Sequence, residues 1–190
     1  MKVDYGGEIM NFMKSLAGVL LVSSAAMLPQ TPLKVVGDLD LNRYAGKWYE
    51  SARLPNRFQE KCSGDVTADY TVQPDGTIQV VNRCRLSDGK ITEAKGVAKK
   101  AEKDGKNSVL KVRFAPAFLS FLPQVWGDYQ VLALGPAYEY AVVGDPDRKY
   151  LWILSRSPQL GDTLYSEAVR QARERGFDVG KLQRTSQANH

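Results

Sequence analysis

Along most of the chain apolar residues recur at every second position, the spacing of strands with one face buried. Val66, Ala68, Tyr70 and Val72 alternate with Thr67, Asp69 and Thr71, and after Pro74-Asp75-Gly76 the residues Ile78, Val80 and Asn82 alternate with Gln79, Val81 and Arg83. This predicts a hairpin turning at Asp75-Gly76. The same pattern, interrupted by Asp104-Gly105, Gly135-Pro136 and Asp145-Pro146-Asp147, predicts strands near 91–100, 109–114, 126–134, 138–143 and 149–156. With a first strand starting at Gly46, eight strands result, in an up-and-down antiparallel order. The last strand is apolar on both faces, Leu151 and Ile153 against Trp152 and Leu154, so one face should line an interior and the other should meet a second layer. One helical stretch can supply that layer. Pro158 and Gly161 break the strand, Asp162 offers a capping oxygen, and Leu164, Ala168 and Ala172 share a face over Thr163 to Arg175 before Gly176. Residues 38–44 read as a short helical plug ahead of the first strand.

Because each strand of a meander reverses direction, its order in the chain tells which end each loop occupies. With Trp48 at the bottom, the loops at 55–64, 86–90, 115–125 and 145–148 fall at the top, and the last strand descends to bring Arg156 back beside Trp48. An arginine over an indole at a partly closed end is a cation–π contact of about 1–2 kcal/mol. If Trp48 and Arg156 face inward, the even-numbered residues form the inner face: Tyr70, Asn82, Leu110, Val112, Phe114, Trp126, Gln130 and Leu132. That face is mostly apolar, with Asn82, Gln130 and the Tyr70 hydroxyl as polar exceptions, a mixture suited to a long apolar tail oriented by a few hydrogen bonds.

Gly46-Lys47-Trp48-Tyr49-Glu50, followed seven strands later by Tyr150-Leu151-Trp152-Ile153-Leu154-Ser155-Arg156, resembles the lipocalins. Within them it is similar to the bacterial envelope subfamily and to apolipoprotein D-like members. The resemblance covers roughly residues 38–185 and implies an all-β, eight-stranded antiparallel barrel with one C-terminal α-helix packed outside. It further implies a carrier or store for small apolar ligands, above all fatty acids or lysophospholipids, with no catalysis. Pocket-lining positions of apolipoprotein D-like members match Tyr70, Asn82, Phe114 and Gln130, in agreement with the alternation; Trp126 and Leu132 join the ligand set from the alternation alone.

Composition narrows the chemistry. Lys and Arg number 26 against 21 Asp and Glu, a net charge of +5, but the signs alternate (Arg83, Arg85, Asp88, Lys90, Glu93) and no nucleic-acid motif accompanies them. The single histidine is the terminal His190, so a Ser-His-Asp or Cys-His arrangement has no base, and His-ligated zinc or haem has no ligand. No catalytic residue, metal or cofactor is expected. Cys62 and Cys84 sit at the top of adjacent strands with inward parity, and in an exported protein they should form a disulfide. Across a hairpin turning at Asp75, position 62 faces roughly 86–88, so the bridge requires a diagonal contact or a register irregularity. The alternative is a small enzyme on the same barrel using a cavity thiol, a poor nucleophile without a histidine beside it.

At the N-terminus, Lys14 precedes the apolar run Leu16–Val22 and the small residues Ser23-Ser24-Ala25-Ala26, which predicts a signal peptide over 1–26. The run is shorter than the ~20 apolar residues that span a bilayer. A linker over 27–37, the barrel over 38–185 and a disordered tail over 186–190 complete the expected domain plan. No cysteine lies at the cleavage site, so the exported protein is expected in the periplasm or cell envelope without a lipid anchor. The loop from Phe114 to Pro123 is the most apolar in the chain and falls at the open end, near Arg57, Lys61, Arg85, Lys90, Arg148 and Lys149. It reads either as a lid or as a contact with a membrane or partner.

Overall fold

In the computed structural model, which describes residues 31–188, eight antiparallel strands close on themselves. They are β1 (Gly46–Arg53), β2 (Cys62–Val72), β3 (Ile78–Leu86), β4 (Ile91–Lys100), β5 (Val109–Arg113), β6 (Gly127–Leu134), β7 (Tyr140–Gly144) and β8 (Leu151–Ser155). Each pairs with the next, and β1 closes the barrel by pairing with both β2 and β8. Below β1, the helix α1 (Leu41–Tyr44) is started by Asp40, whose carboxylate accepts from the amides of Asn42 and Arg43 at 2.9 and 3.3 Å. The β2–β3 turn forms where expected: Gly76 takes φ +80°, and Asp75 Oδ1 accepts from the amide and hydroxyl of Thr77.

Two apolar layers result from the two faces of the sheet. Inside lie Leu39, Tyr44, Trp48, Tyr70, Val131 and Leu154 among others; outside, Ala52, Leu132, Val142, Leu151 and Ile153 meet Ala168 and Ala172 of the helix α2 (Asp162–Glu174) and Phe177 beyond it. The two-faced last strand and the covering helix are therefore as expected. Asp162 is the first helical residue and not the cap; Gly161 precedes the helix, and the Asp162 carboxylate lies near the helix's positive end. Phe177 lies so close over β7 that a Cβ on Gly144 would come within 2.6 Å of its ring.

The barrel wall holds a ninth strand, β9 (Gln183–Arg184), which pairs with the upper end of β1 where β1 and β2 part. Residues 186–188 are not a disordered tail. Ser186 accepts from the Asp65 amide at 2.8 Å, the Gln187 amide group donates to the carbonyls of Glu50 and Val66 at 2.9 Å each, and the Ala188 amide donates to the Asp65 carboxylate at 2.6 Å. They seal the gap between two strands whose backbone groups would otherwise be open to water. At the other end, part of the expected linker belongs to the fold: Leu33 and Val35 pack on the outer layer, Val36 on the inner one, and the Val36 amide donates to the Val131 carbonyl at 3.0 Å. The signal peptide expected over 1–26 lies outside the described residues.

Candidate ligand-binding site

The floor of the barrel is built around Trp48, which is fully buried and donates its indole N–H to the Tyr44 carbonyl at 2.8 Å. The Arg156 guanidinium lies 3.9 Å from the indole centre and donates to the carbonyls of Lys47 and Arg43 at 2.9 and 2.5 Å. Gly46, at φ +90°, lets the chain enter beneath it; an added Cβ would stand 3.5 Å from that guanidinium in a strained backbone. Against Trp48 lies Tyr44, and against Tyr44 lies Tyr70, with ring centres 5.0 Å and 5.5 Å apart for the Tyr44–Trp48 and Tyr44–Tyr70 pairs. The Tyr129 hydroxyl bridges them, 2.6 Å from the Tyr44 hydroxyl and 3.0 Å from that of Tyr70. Burial pushes all three phenols up, Tyr70 to about 12, because a phenolate here would lose its hydration.

Higher in the barrel the interior opens. In direct cross-strand pairs the side chains share a face, so the row Trp48, Ala68, Asn82 and Ala94 points inward. Descending the inner face of β4, Thr92 and Ala94 are exposed whereas Gly96 and Ala98 are buried. Asn82 Oδ1, beside Ala94, is buried without a hydrogen-bond partner among the described residues. The Phe114 ring closes over Gly96, where a Cβ would come within 2.7 Å of it. A chamber open above and filled below is what this gradient describes.

Near the mouth the chamber carries charge. Glu50 pairs with the inward Leu154, is 2% exposed, and accepts from Arg53 Nη1 at 2.7 Å, Gln59 Nε2 at 2.6 Å and the Thr185 hydroxyl of the C-terminal segment. Arg53 stands opposite Trp152, and the Trp152 indole donates to Gln59 Oε1 at 2.8 Å. Tyr150 stacks on Trp152 with ring centres 6.0 Å apart, and Phe58 meets Tyr150 at 5.4 Å.

Of the residues read from the sequence as lining the site, Trp48, Tyr70, Asn82 and Phe114 are inside, with Arg156 closing the floor. Trp126, Gln130 and Leu132 are not. The Trp126 ring lies on the outer face between Lys99 and Arg113, 4.3 and 5.2 Å from its centre, and donates to the Ser120 carbonyl. Gln130 pairs with Val109 and Gly144, whose outer face meets Phe177, and Leu132 packs in the outer layer under α2. For Leu132 the cause is a β-bulge between Val131 and Ala133, which turns Leu132 and Ala133 outward together; Trp126 and Gln130 precede it, and the regular pairing with β5, Leu110 opposite Tyr129 and Val109 opposite Gln130, sets them on the outer face. Tyr129 and Val131 are therefore the inner residues of β6. The uninterrupted apolar run Val131-Leu132-Ala133-Leu134 hides such a bulge, because either alternation fits it. A second bulge, between Glu50 and Ala52, brings Arg53 inward beside Glu50.

Cys62 and Cys84 form a disulfide. Cys62 pairs across with Leu86, and register shifts on either side of Gly64 give the irregularity that the bridge requires. Both sulfurs are thereby committed, so neither is a thiolate nucleophile here. The loop between β5 and β6 forms two single helical turns, 117–119 and 123–125, and leaves Phe118 and Phe121 74% and 76% exposed; Phe58, on the neighbouring loop, is 63% exposed.

The family model described as "Lipocalin-like domain" matches residues 39–187. Temperature-induced lipocalin-1 of Arabidopsis thaliana is 44% identical over 164 residues, spanning 86% of this chain and 87% of that protein. The outer membrane lipoprotein Blc of Escherichia coli (strain K12) is 36% identical over 166 residues, 87% of this chain and 89% of the relative. Among solved structures, insecticyanin from the tobacco hornworm Manduca sexta superposes with a TM-score of 0.62 at 24% identity, over 84% of this chain and 86% of that one.

Proposed function

Because the chain belongs to the lipocalin family, whose members bind small hydrophobic ligands, we propose that it carries or stores a single-chain lipid, a fatty acid or lysophospholipid, in the upper chamber and does no chemistry on it. The observation that carries this reading is the gradient along β4, from the exposed inward residues Thr92 and Ala94 to the buried Gly96 and Ala98. It describes an opening that ends on an aromatic floor, with apolar positions along the wall and the polar residues Asn82, Glu50 and Arg53 among them. The tail enters past Phe114 and the polar end stays at the mouth. Titration of the delipidated protein with a series of acyl chain lengths tests it: saturable uptake with an optimum length is expected, and no saturation at any length would remove the reading.

The relative Blc is by name an outer membrane lipoprotein, which supports a cell-envelope location. Both cysteines of this sequence are in the disulfide, which favours a soluble envelope form over a lipid-anchored one. The exposed Phe58, Phe118 and Phe121 stand on the β1–β2 and β5–β6 loops at the same end of the barrel, Phe58 between Arg57 and Lys61 in the chain, a combination suited to resting the mouth on an anionic lipid surface during exchange. Loss of vesicle co-sedimentation in a Phe118→Ser, Phe121→Ser double variant is the expected outcome; unchanged sedimentation would leave the loop as a lid.

A further inference from the structure

On the outside of the barrel, a groove of about 490 Å³ runs between α2 and residues 34–37, over β6 and the start of β7. That volume is in the range of small-ligand sites. Its floor is apolar because the bulge in β6 turns Leu132 and Ala133 to the same side, and Val35 and Leu164 extend this lining. One rim is tied in place by Arg175, just beyond α2. Its Nε donates to the Lys34 carbonyl at 3.0 Å, and its Nη1 donates to the Gln171 carbonyl and side-chain oxygen at 2.8 and 2.7 Å.

The polar atoms left over in the groove are donors. Tyr140 is 4% exposed and lines the groove, and its hydroxyl has no hydrogen-bond partner among the described residues, an uncommon condition for a buried phenol. Arg175 Nη2 is also unused, and neither Arg175 nor Lys34 belongs to an ion pair among the described residues. The Tyr140 hydroxyl and the Arg175 guanidinium are near enough for each to act on the other's titration. Acceptors, by contrast, are taken. Glu167, the carboxylate of the lining, accepts from Arg170 Nε and Nη2 at 2.8 and 2.6 Å and from Gln171 Nε2 at 2.8 Å, and Gln171 Oε1 is held by Arg175. Free donors and two unpaired cations beside an apolar floor complement a molecule with one anionic end and an apolar body.

We infer that this groove is a ligand site separate from the barrel interior, and that it takes a small carboxylic acid with its apolar body on Leu132 and Ala133 and its carboxylate on the Tyr140 hydroxyl and Arg175 Nη2. Lys34 adds attraction at the rim. The site is independent of what the barrel holds.

The test is a titration of the isotope-labelled full chain with naphthoate, followed by backbone amide shifts, with naphthylmethanol as the neutral counterpart. Saturable shifts are expected at 34–37, 132–134 and the groove side of α2, with the alcohol binding at least about fivefold more weakly. Tyr140→Phe, which keeps the ring in the outer layer, should weaken naphthoate about fivefold, and Arg175→Gln about tenfold or more, the worth of a charged hydrogen bond. Shifts at Asn82 and Ala94 alone would place the acid in the barrel and overturn the groove site. Equal binding of acid and alcohol, binding by Tyr140→Phe equal to that of the parent, or no saturable shift at all would overturn it too. Should Arg175→Gln fail to fold, because it also ties the rim, Tyr140→Phe decides alone.

Discussion

The Arg156 guanidinium lies 3.9 Å from the centre of the Trp48 indole and ties the Lys47 and Arg43 carbonyls to the end of β8. The contact joins the first and last strands of the barrel, so it acts on closure as well as on the floor. Arg156→Ala should lower stability by about 1–3 kcal/mol through lost cation–π attraction, hydrogen bonds and packing. Arg156→Lys should recover only part of this, since an ammonium cannot match the planar fork. Denaturant midpoints of the three proteins decide it; coincident midpoints for parent and Arg156→Ala would show the pairing to be passive.

Tyr129 is the shared partner of two buried hydroxyls. Tyr129→Phe should therefore destabilise by about 2–3 kcal/mol, whereas Tyr70→Phe, which leaves the Tyr44–Tyr129 bond in place, should cost about 1 kcal/mol. A double-mutant comparison by chemical denaturation would separate them, and equal effects would argue against the bridge.

The same tyrosines give the stability a pH signature. Burial raises their folded pKa values above the ordinary 10.0, for Tyr70 to about 12. The folded state thus holds phenolic protons more tightly than the unfolded chain. The stabilisation is complete below pH 10.0 and is lost as pH rises toward about 12. Phenolate absorbance should show a late fraction that titrates together with loss of near-ultraviolet circular dichroism; full titration at the ordinary value with the fold intact would contradict it.

Ala94 faces the open chamber and Leu132 does not. Ala94→Trp should fill the upper interior and reduce lipid uptake at least about tenfold while changing stability by less than about 1 kcal/mol, because its inner face is solvent-exposed. Leu132→Lys should act in the opposite sense. It buries a charge between β6 and α2, so it should destabilise by more than about 3 kcal/mol and leave binding by the remaining folded protein unchanged. Paired titrations and melts of the two variants check both placements.

The Cys62–Cys84 bridge links the top of β2 to β3 across 22 residues. Replacing both cysteines by alanine should lower stability by about 3 kcal/mol on the chain-entropy estimate. Alkylation without reduction, followed by mass measurement, should label neither sulfur; two labelled thiols would reject the bridge.

The period-two pattern, the turn residues and the two-faced strand around Trp152 were enough to specify eight strands, their up-and-down order, the helix that covers them and the meeting of Trp48 with Arg156. These features follow from local chemistry and from the reversal of each strand, and a single chain contains all of that information. Asn82, Tyr70 and Phe114 were legible for the same reason: no bulge lies between them and the residues that anchor their alternation. Trp126, Gln130 and Leu132 were not. A bulge adds one residue to one strand and inverts the facing of everything on its far side, and in the apolar run of β6 the local sequence is equally content with either facing. Only the pairing of β6 with β5 and β7 and the packing of α2 chose between them. The mouth was hidden in a second way. Glu50 is a carboxylate that becomes interior, with the half-buried Arg53, Gln59 and Thr185 around it, because the bulge in β1 and the insertion of residues 183–188 into the wall supply hydrogen-bond partners that no local pattern announces. Burial of a polar group is decided by whether distant groups satisfy it, and that is settled by the tertiary structure alone.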